Sequence, residues 1–277
     1  MSTTQISDEK KEFSEPIQFS CKANFRINFI YYPDHYIVLM KSLVFDSGPI
    51  ISLVTNNLLW VLEELKKRYD GEFYISPSVK KEIIDVPLRS KRFRLEALQL
   101  ASFISRGIIK IYKPGNTTQL NFFTKKLLNL ANNMFICRGV NVRLVHLAEI
   151  EALALANLIK ADALVVDERS TRVLVENPEI LSQLLEKKLH SPIDINIKAK
   201  KEFLEEVKDT NIIRSVELMA VAYDFGILDK YALKEVKFIK STNLRKNLLE
   251  GVLWGLKLRG CAISSDEIYD IMKLKGF

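Results

Sequence analysis

The stretch "HLAEIEALALANLIKADALVVDERSTR", residues 146–172, decides the fold. From Leu147 to Lys160 it has no Gly or Pro and is dominated by Ala, Leu and Glu, so intrinsic propensity favours helix throughout. "ADALVVDE" then reads as a short buried strand, Ala163 to Val166, reached by a turn over Lys160 to Asp162. A helix feeding such a strand belongs to a βαβ unit, in which ligand chemistry gathers at the carboxyl ends of parallel strands. Asp167 and Glu168 stand at that end.

The helix holds two acids. At roughly 100° per residue, Glu149 shares a face with Asn157 and Lys160, while Glu151 lies about 200° away among Leu147, Ala148, Ala154, Leu155 and Leu158. On this wheel Glu149 belongs to the solvated face and Glu151 is the anomaly, since a buried carboxylate is costly without Lys, Arg or a metal beside it.

The same grammar occurs twice more upstream. Leu43 to Phe45 is an apolar run that stops at Asp46, after which Ser47, Gly48 and Pro49 open a helix expected to run to about Tyr69. Phe73 to Ile75 is strand-like, Ser76 and Pro77 look like N-cap and first helical residue, and Glu82 falls within the second turn. Carboxylates brought together repel one another unless a divalent cation neutralises them, and hard oxygen ligands suit Mg²⁺ or Mn²⁺. Against this, Asp46 is also placed to N-cap its helix, Glu82 beside Lys80 and Lys81 also fits a plain surface, and Asp167 or Glu168 fits the cap of a helix starting near Arg169.

The chain of 277 residues is 48% hydrophobic, enough for a sizeable core, and carries a net charge of +7. No apolar run reaches the roughly 18 residues of a membrane span, and the polar start "MSTTQISDEKKEFSE" does not read as a signal peptide. A soluble cytoplasmic protein is expected, with no membrane partner. Cys21, Cys137 and Cys261 are odd in number and far apart, which fits a reducing compartment and offers no zinc spacing. The positive charge is localised: between Lys80 and Val145 thirteen basic side chains face three acidic ones, Glu82, Asp85 and Glu96. Arg89, Lys91, Arg92, Arg94, Lys125, Lys126 and Arg143 from this segment, with Arg169 and Arg172 after it, are candidate phosphate contacts; the competing reading of "PLRSKRFRLEAL" is a solvated helix start.

Along the chain, residues 1–41 form an N-terminal extension. Phe19 to Tyr31 alternates apolar and polar at period two, and after the turn "YPDH" Tyr36 to Met40 is expected to return as the second strand of a β-hairpin, read as an added sheet edge or a homodimer contact, the alternative being an aromatic RNA-stacking surface. Residues 42–178 alternate helices with short strands near 43–46, 73–75, 108–112 and 163–166, the signature of a parallel α/β sheet. Residues 179–277 read as a helical C-terminal region, with helices at 198–208, 211–225, 229–235, 242–259 and 264–275.

An Asp closing the first strand, a Glu in the helix after the second, an acid heading "EALALA" and an acidic pair after "ALVV" together resemble the PIN-domain nucleases. The branch with a "GEAEALALA" helix, then a strand, "DD" and an Arg, is especially similar, and the resemblance covers roughly residues 42–177. It implies a three-layer α/β/α fold, a Mg²⁺ or Mn²⁺ site of three or four acids, and cleavage of single-stranded RNA. Carried over by position, the acids are Asp46, Glu82, Glu151 and then Asp167 or Glu168. One departure is that "GE" at the head of the third motif is "AE" here, Ala148-Glu149.

The leading expectation is a metal-dependent endoribonuclease, in which the acids hold the cation and the basic segment holds the strand. The alternative is a non-catalytic PIN-like module that binds RNA, or a protein partner through its C-terminal helices. A nucleotide-binding enzyme is disfavoured, because neither GxGxxG nor GxxxxGK[ST] occurs.

Overall fold

The structure, a computed structural model, describes residues 42–68, 71–113, 117–231 and 243–277. The expected N-terminal hairpin lies outside the described residues. Eight strands occur among those described: β1 Ser42–Phe45, β2 Glu72–Ile75, β3 Ile109–Ile111, β4 Phe135–Cys137, β5 Val140–Asn141, β6 Ala163–Val165, β7 Ile193–Ile195 and β8 Ile212–Ile213. Five of them form one all-parallel sheet in the order β3-β2-β1-β6-β8, and a second, antiparallel sheet has the order β5-β4-β7.

This order locates the site. From β1 the chain moves outward through β2 to β3, then returns past β1 to β6 and β8. Parallel crossovers are right-handed, so the reversal sends the intervening helices to the opposite face. One layer accordingly joins helices Ser47–Thr55, Arg94–Ser105 and Ser215–Asp224, and the other joins Thr117–Asn132, Leu147–Leu158 and Ile197–Val207. The crevice at such a reversal opens beyond the carboxyl ends of the strands on either side of it. Those strands are β1 and β6, and they end at Asp46 and Asp167.

Burial explains why these segments are strands. Leu43, Val44, Phe45, Ala163, Leu164 and Val165 are wholly buried, as continuous apolar runs must be in a sheet covered on both faces. Phe45 meets Phe73 edge-on at 5.5 Å between ring centroids. The helix Leu147–Leu158 is buried almost all round, from Ala148 to Ala156, because it lies between the sheet and helix Thr117–Asn132.

The helical C-terminal region is present, and it also contributes strands. β8 extends the main sheet from Ile212, so the helix expected from residue 211 begins at Ser215. Two further differences have local causes. The helix expected from Ser47 to Tyr69 is two, Ser47–Thr55 and Trp60–Arg68, because Asn57 adopts a left-handed backbone (φ 55°) that Asn tolerates better than most residues. Between Pro77 and Arg89 the chain is one helical ribbon whose middle turn, Lys81–Asp85, widens to a π-helix. Among the described residues, no helix is long and apolar enough to cross a membrane.

Candidate functional site

Asp46 follows β1 and is 3% exposed. Its backbone N–H donates to Val165 O (3.0 Å), which locks the ends of β1 and β6 together. It occupies the N-cap position of helix Ser47–Thr55, yet its side chain makes no capping hydrogen bond, and Oδ1 is buried with no partner. Burial pushes its carboxyl up to about 7, opposed by the nearby N–H groups of Ser47 and Gly48 and reinforced by the charges of Glu149 and Glu82.

Glu149 is the acid of the helix whose charge reaches Asp46 most strongly. It sits in the first turn, half-buried, where the helix begins over the strand ends, and Oε2 accepts a hydrogen bond from Thr171 Oγ1 (2.7 Å). Burial raises its carboxyl, with Thr171 and His146 opposing and Glu168 adding. The expectation that Glu149 belongs to a solvated face is thus corrected: the helix has buried surroundings on both sides, so the wheel separates two buried environments.

Glu151 is buried, but its charge has hydrogen-bond donors. Oε2 accepts from Ser78 N (2.8 Å) and from Ser76 Oγ (3.2 Å), at the start of the helical ribbon after β2. These bonds give the buried carboxylate two donors on one oxygen. Glu82, in the π-helical turn, is exposed, and its charge acts on Asp46.

The acidic pair divides its work. Glu168 is exposed and N-caps helix Arg169–Glu176, accepting from Ser170 Oγ at 2.8 Å. Asp167 is 2% exposed, and both its oxygens are engaged: Oδ1 accepts from Ser215 N and Oδ2 from Ser215 Oγ, each at 2.8 Å. Burial raises its carboxyl, while Ser215, the Cys261 thiol and the Ser52 hydroxyl counter that effect. A Cβ on Gly48 would lie 3.8 Å from both Asp167 Cβ and Asp46 Oδ2, so Gly48 sits beside both acids.

Glu149 and Glu82 thus each lie within electrostatic reach of Asp46, and Glu168 within reach of Glu149. Acceptor-only oxygens and an orphaned buried Oδ1 suit a hard divalent cation. No three of these acids are gathered tightly enough to hold an ion as they stand among the described residues. Thr171, Ser215 and Cys261, which contact Glu149 or Asp167, were not singled out from the sequence, and Glu149 was placed on the solvated face. The signal for Glu149 was its place in the first helical turn, where the "AE" stands for "GE".

The basic candidates fare unequally. Arg89, Lys91, Arg92, Arg94, Lys125, Arg143 and Arg169 are exposed, and the first four directly continue the ribbon that carries Glu82. Arg92 covers the Phe93 ring at 4.7 Å and Arg94 Nε donates to Ser90 O. Lys126 is paired with Glu206 at 2.6 Å, and Arg172 is half-buried with an unpartnered Nε.

A search of curated proteins finds no significant match. Among solved structures, a chain in the crystal structure of VapBC2 from Rickettsia felis, bound to a DNA fragment from their promoter, is similar at 13% identity over 62% of this chain and 98% of that one. The TM-score of that match is 0.38. The family comparison is stronger: residues 42–182, just over half of the chain and the span containing Asp46, Glu82, Glu149, Glu151, Asp167 and Glu168, match the model described as the PIN domain, and the chain belongs to this family, whose members are generally nucleases that use divalent metal ions.

Proposed function

We propose that the chain is a metal-dependent endoribonuclease hydrolysing phosphodiester bonds of single-stranded RNA. The observation that carries this reading is Asp46: a buried carboxylate with an unpartnered oxygen, held high by burial and by two neighbouring acids, at the crevice where ligands bind in parallel sheets. Such a group gains most from a divalent cation.

Asp46 and Glu149 would hold Mg²⁺ or Mn²⁺, with Glu82 and Glu168 at the rim. When bound, the ion would polarise a water for attack and the phosphoryl oxygen that the water attacks. The chain's own residues supply the rest. Thr171 fixes the Glu149 carboxylate, and Ser47, Gly48 and the β1–β6 junction fix Asp46. Arg89, Lys91, Arg92 and Arg94 are exposed beside the Glu82 ribbon, where cationic side chains hold a phosphate backbone in register without reading its sequence.

The test is incubation of the purified chain with labelled single-stranded RNA in Mn²⁺, in Mg²⁺ or in EDTA. Cleavage in metal, absent in EDTA and in Asp46→Asn, is expected. RNA binding that survives chelation with no cleavage of any substrate would instead identify a non-catalytic PIN-like module.

A further inference from the structure

We infer that Glu151 is a positioning residue: it clamps the start of the helical ribbon that carries Glu82 and so fixes Glu82 relative to Asp46. The inference rests on the metal-site reading above and assigns Glu151 a role outside the set of ligands.

The argument begins with adjacent strand ends. Phe45 and Ile75 are register partners in β1 and β2, so the next residues, Asp46 and Ser76, leave neighbouring strands side by side. Asp46 enters the acidic crevice, and Ser76 starts the ribbon. The first N–H groups of any helix lack intrahelical partners and need acceptors. Ser76 Oγ accepts from Val79 N (3.2 Å) and donates to Glu151 Oε2 (3.2 Å), which also accepts from Ser78 N (2.8 Å). A single carboxylate from the helix Leu147–Leu158 thus completes a cap in a chain segment 73 residues away.

Glu82 lies one turn beyond Ser78 in this ribbon, within the π-helical turn. A π-turn is a weaker hydrogen-bonding register than the α-helix, and its orientation depends on what anchors its ends. Glu149 and Glu151, two residues apart, therefore serve two strand ends from one helix: Glu149 acts on Asp46 directly, and Glu151 acts through the backbone that presents Glu82.

Glutamine separates positioning from ligation, because its amide oxygen still accepts from Ser78 and Ser76 but carries no charge for a cation. The experiment compares wild type, Glu151→Gln, Glu151→Ala and Ser76→Ala by calorimetric Mn²⁺ titration, by amide exchange at residues 78–82, and by RNA cleavage. Loss of an outer-shell partner weakens metal binding by about tenfold or more, which is the loss expected for Glu151→Ala, with Glu151→Gln staying within about threefold of wild type. Faster exchange at 78–82 is expected in Glu151→Ala and, to a smaller degree, in Ser76→Ala. If Glu151→Ala does not fold, Ser76→Ala decides alone: unchanged exchange and unchanged Mn²⁺ affinity overturn the inference. A Gln variant as impaired in Mn²⁺ binding as the Ala variant, with wild-type exchange, overturns it in favour of ligation. Wild-type protein that neither binds Mn²⁺ nor cleaves RNA would defeat the nuclease reading, and the exchange data would still decide whether Glu151 clamps the ribbon.

Discussion

Thr171 Oγ1 donates a 2.7 Å hydrogen bond to Glu149 Oε2, joining the first turn of helix Arg169–Glu176 to the first turn of helix Leu147–Leu158. Thr171 is fully buried, so this donor has no water to replace it. Thr171→Val removes the bond at nearly constant volume and should lower metal-dependent cleavage by about tenfold, as outer-shell losses do, whereas Glu149→Gln should lower it by more than about a hundredfold. Steady-state cleavage in Mn²⁺ measures both. Glu149→Gln activity within a few-fold of wild type would remove this acid from the site.

Asp46 makes stability depend on pH. Its folded carboxyl is pushed up to about 7 from an ordinary value of 3.8, so between these pH values the folded chain keeps a proton that the unfolded chain has released. Stability should therefore fall as pH rises from about 4 to about 7 and level off above that, with a total cost of order 4 kcal/mol. Asp46→Asn cannot ionise. In EDTA it should melt above wild type at pH 8 and close to it at pH 4.5, and added Mn²⁺ should stabilise only wild type. Thermal melts in which the variant gains nothing at pH 8 would count against a buried, repelled carboxylate.

The main sheet was legible because each of β1, β2 and β6 is an apolar run closed by a helix start or an acid, and β1 and β6, wholly buried, need no alternation. β5 and β8 were not legible, since two residues cannot display a period, and β4 and β7, with three each, hardly can. Asp46 and Glu82 could be picked out from their places after strand and helix start. The choice between Glu149 and Glu151 could not be made on a wheel. Composition implied one wet face, but Ile150 and Leu153 are as buried as Leu155, so both acids face protein and the wheel does not tell them apart. Ser215 and Cys261 were invisible for a related reason: they reach Asp167 from the C-terminal region, beyond the matched span.

That C-terminal contribution hangs on Arg214, 2% exposed, whose guanidinium bonds Glu217 (2.5 Å), Glu267 (2.9 Å) and Ala262 O (3.0 Å). The neighbouring Ala262 N donates to Asp167 O, so the network reaches the floor of the site. Arg214→Ala strands two carboxylates and a carbonyl. It should cost about 2–3 kcal/mol, below the usual figure for a broken buried pair because both glutamates are partly exposed. Urea denaturation should report that loss, and limited proteolysis should cut near helix Ser265–Leu274 sooner than in wild type. An unchanged urea midpoint would show that the guanidinium is not holding these segments together.

The exposed stretch Arg89, Lys91, Arg92 and Arg94 gives the RNA reading its most direct check. Reversing all four charges should weaken RNA binding and flatten its dependence on salt, because each lost phosphate contact on a single strand removes a log-log slope of about 0.7. None of the four is a ligand candidate, so residual cleavage should keep its Mn²⁺ dependence. Lys126 supplies the control: it is already paired with Glu206, and Lys126→Gln should leave the slope nearly unchanged. A quadruple reversal that binds RNA with the wild-type slope would make this stretch a plain solvated face, and Lys125, Arg143 and Arg169, all exposed, would then be the cations to reverse next.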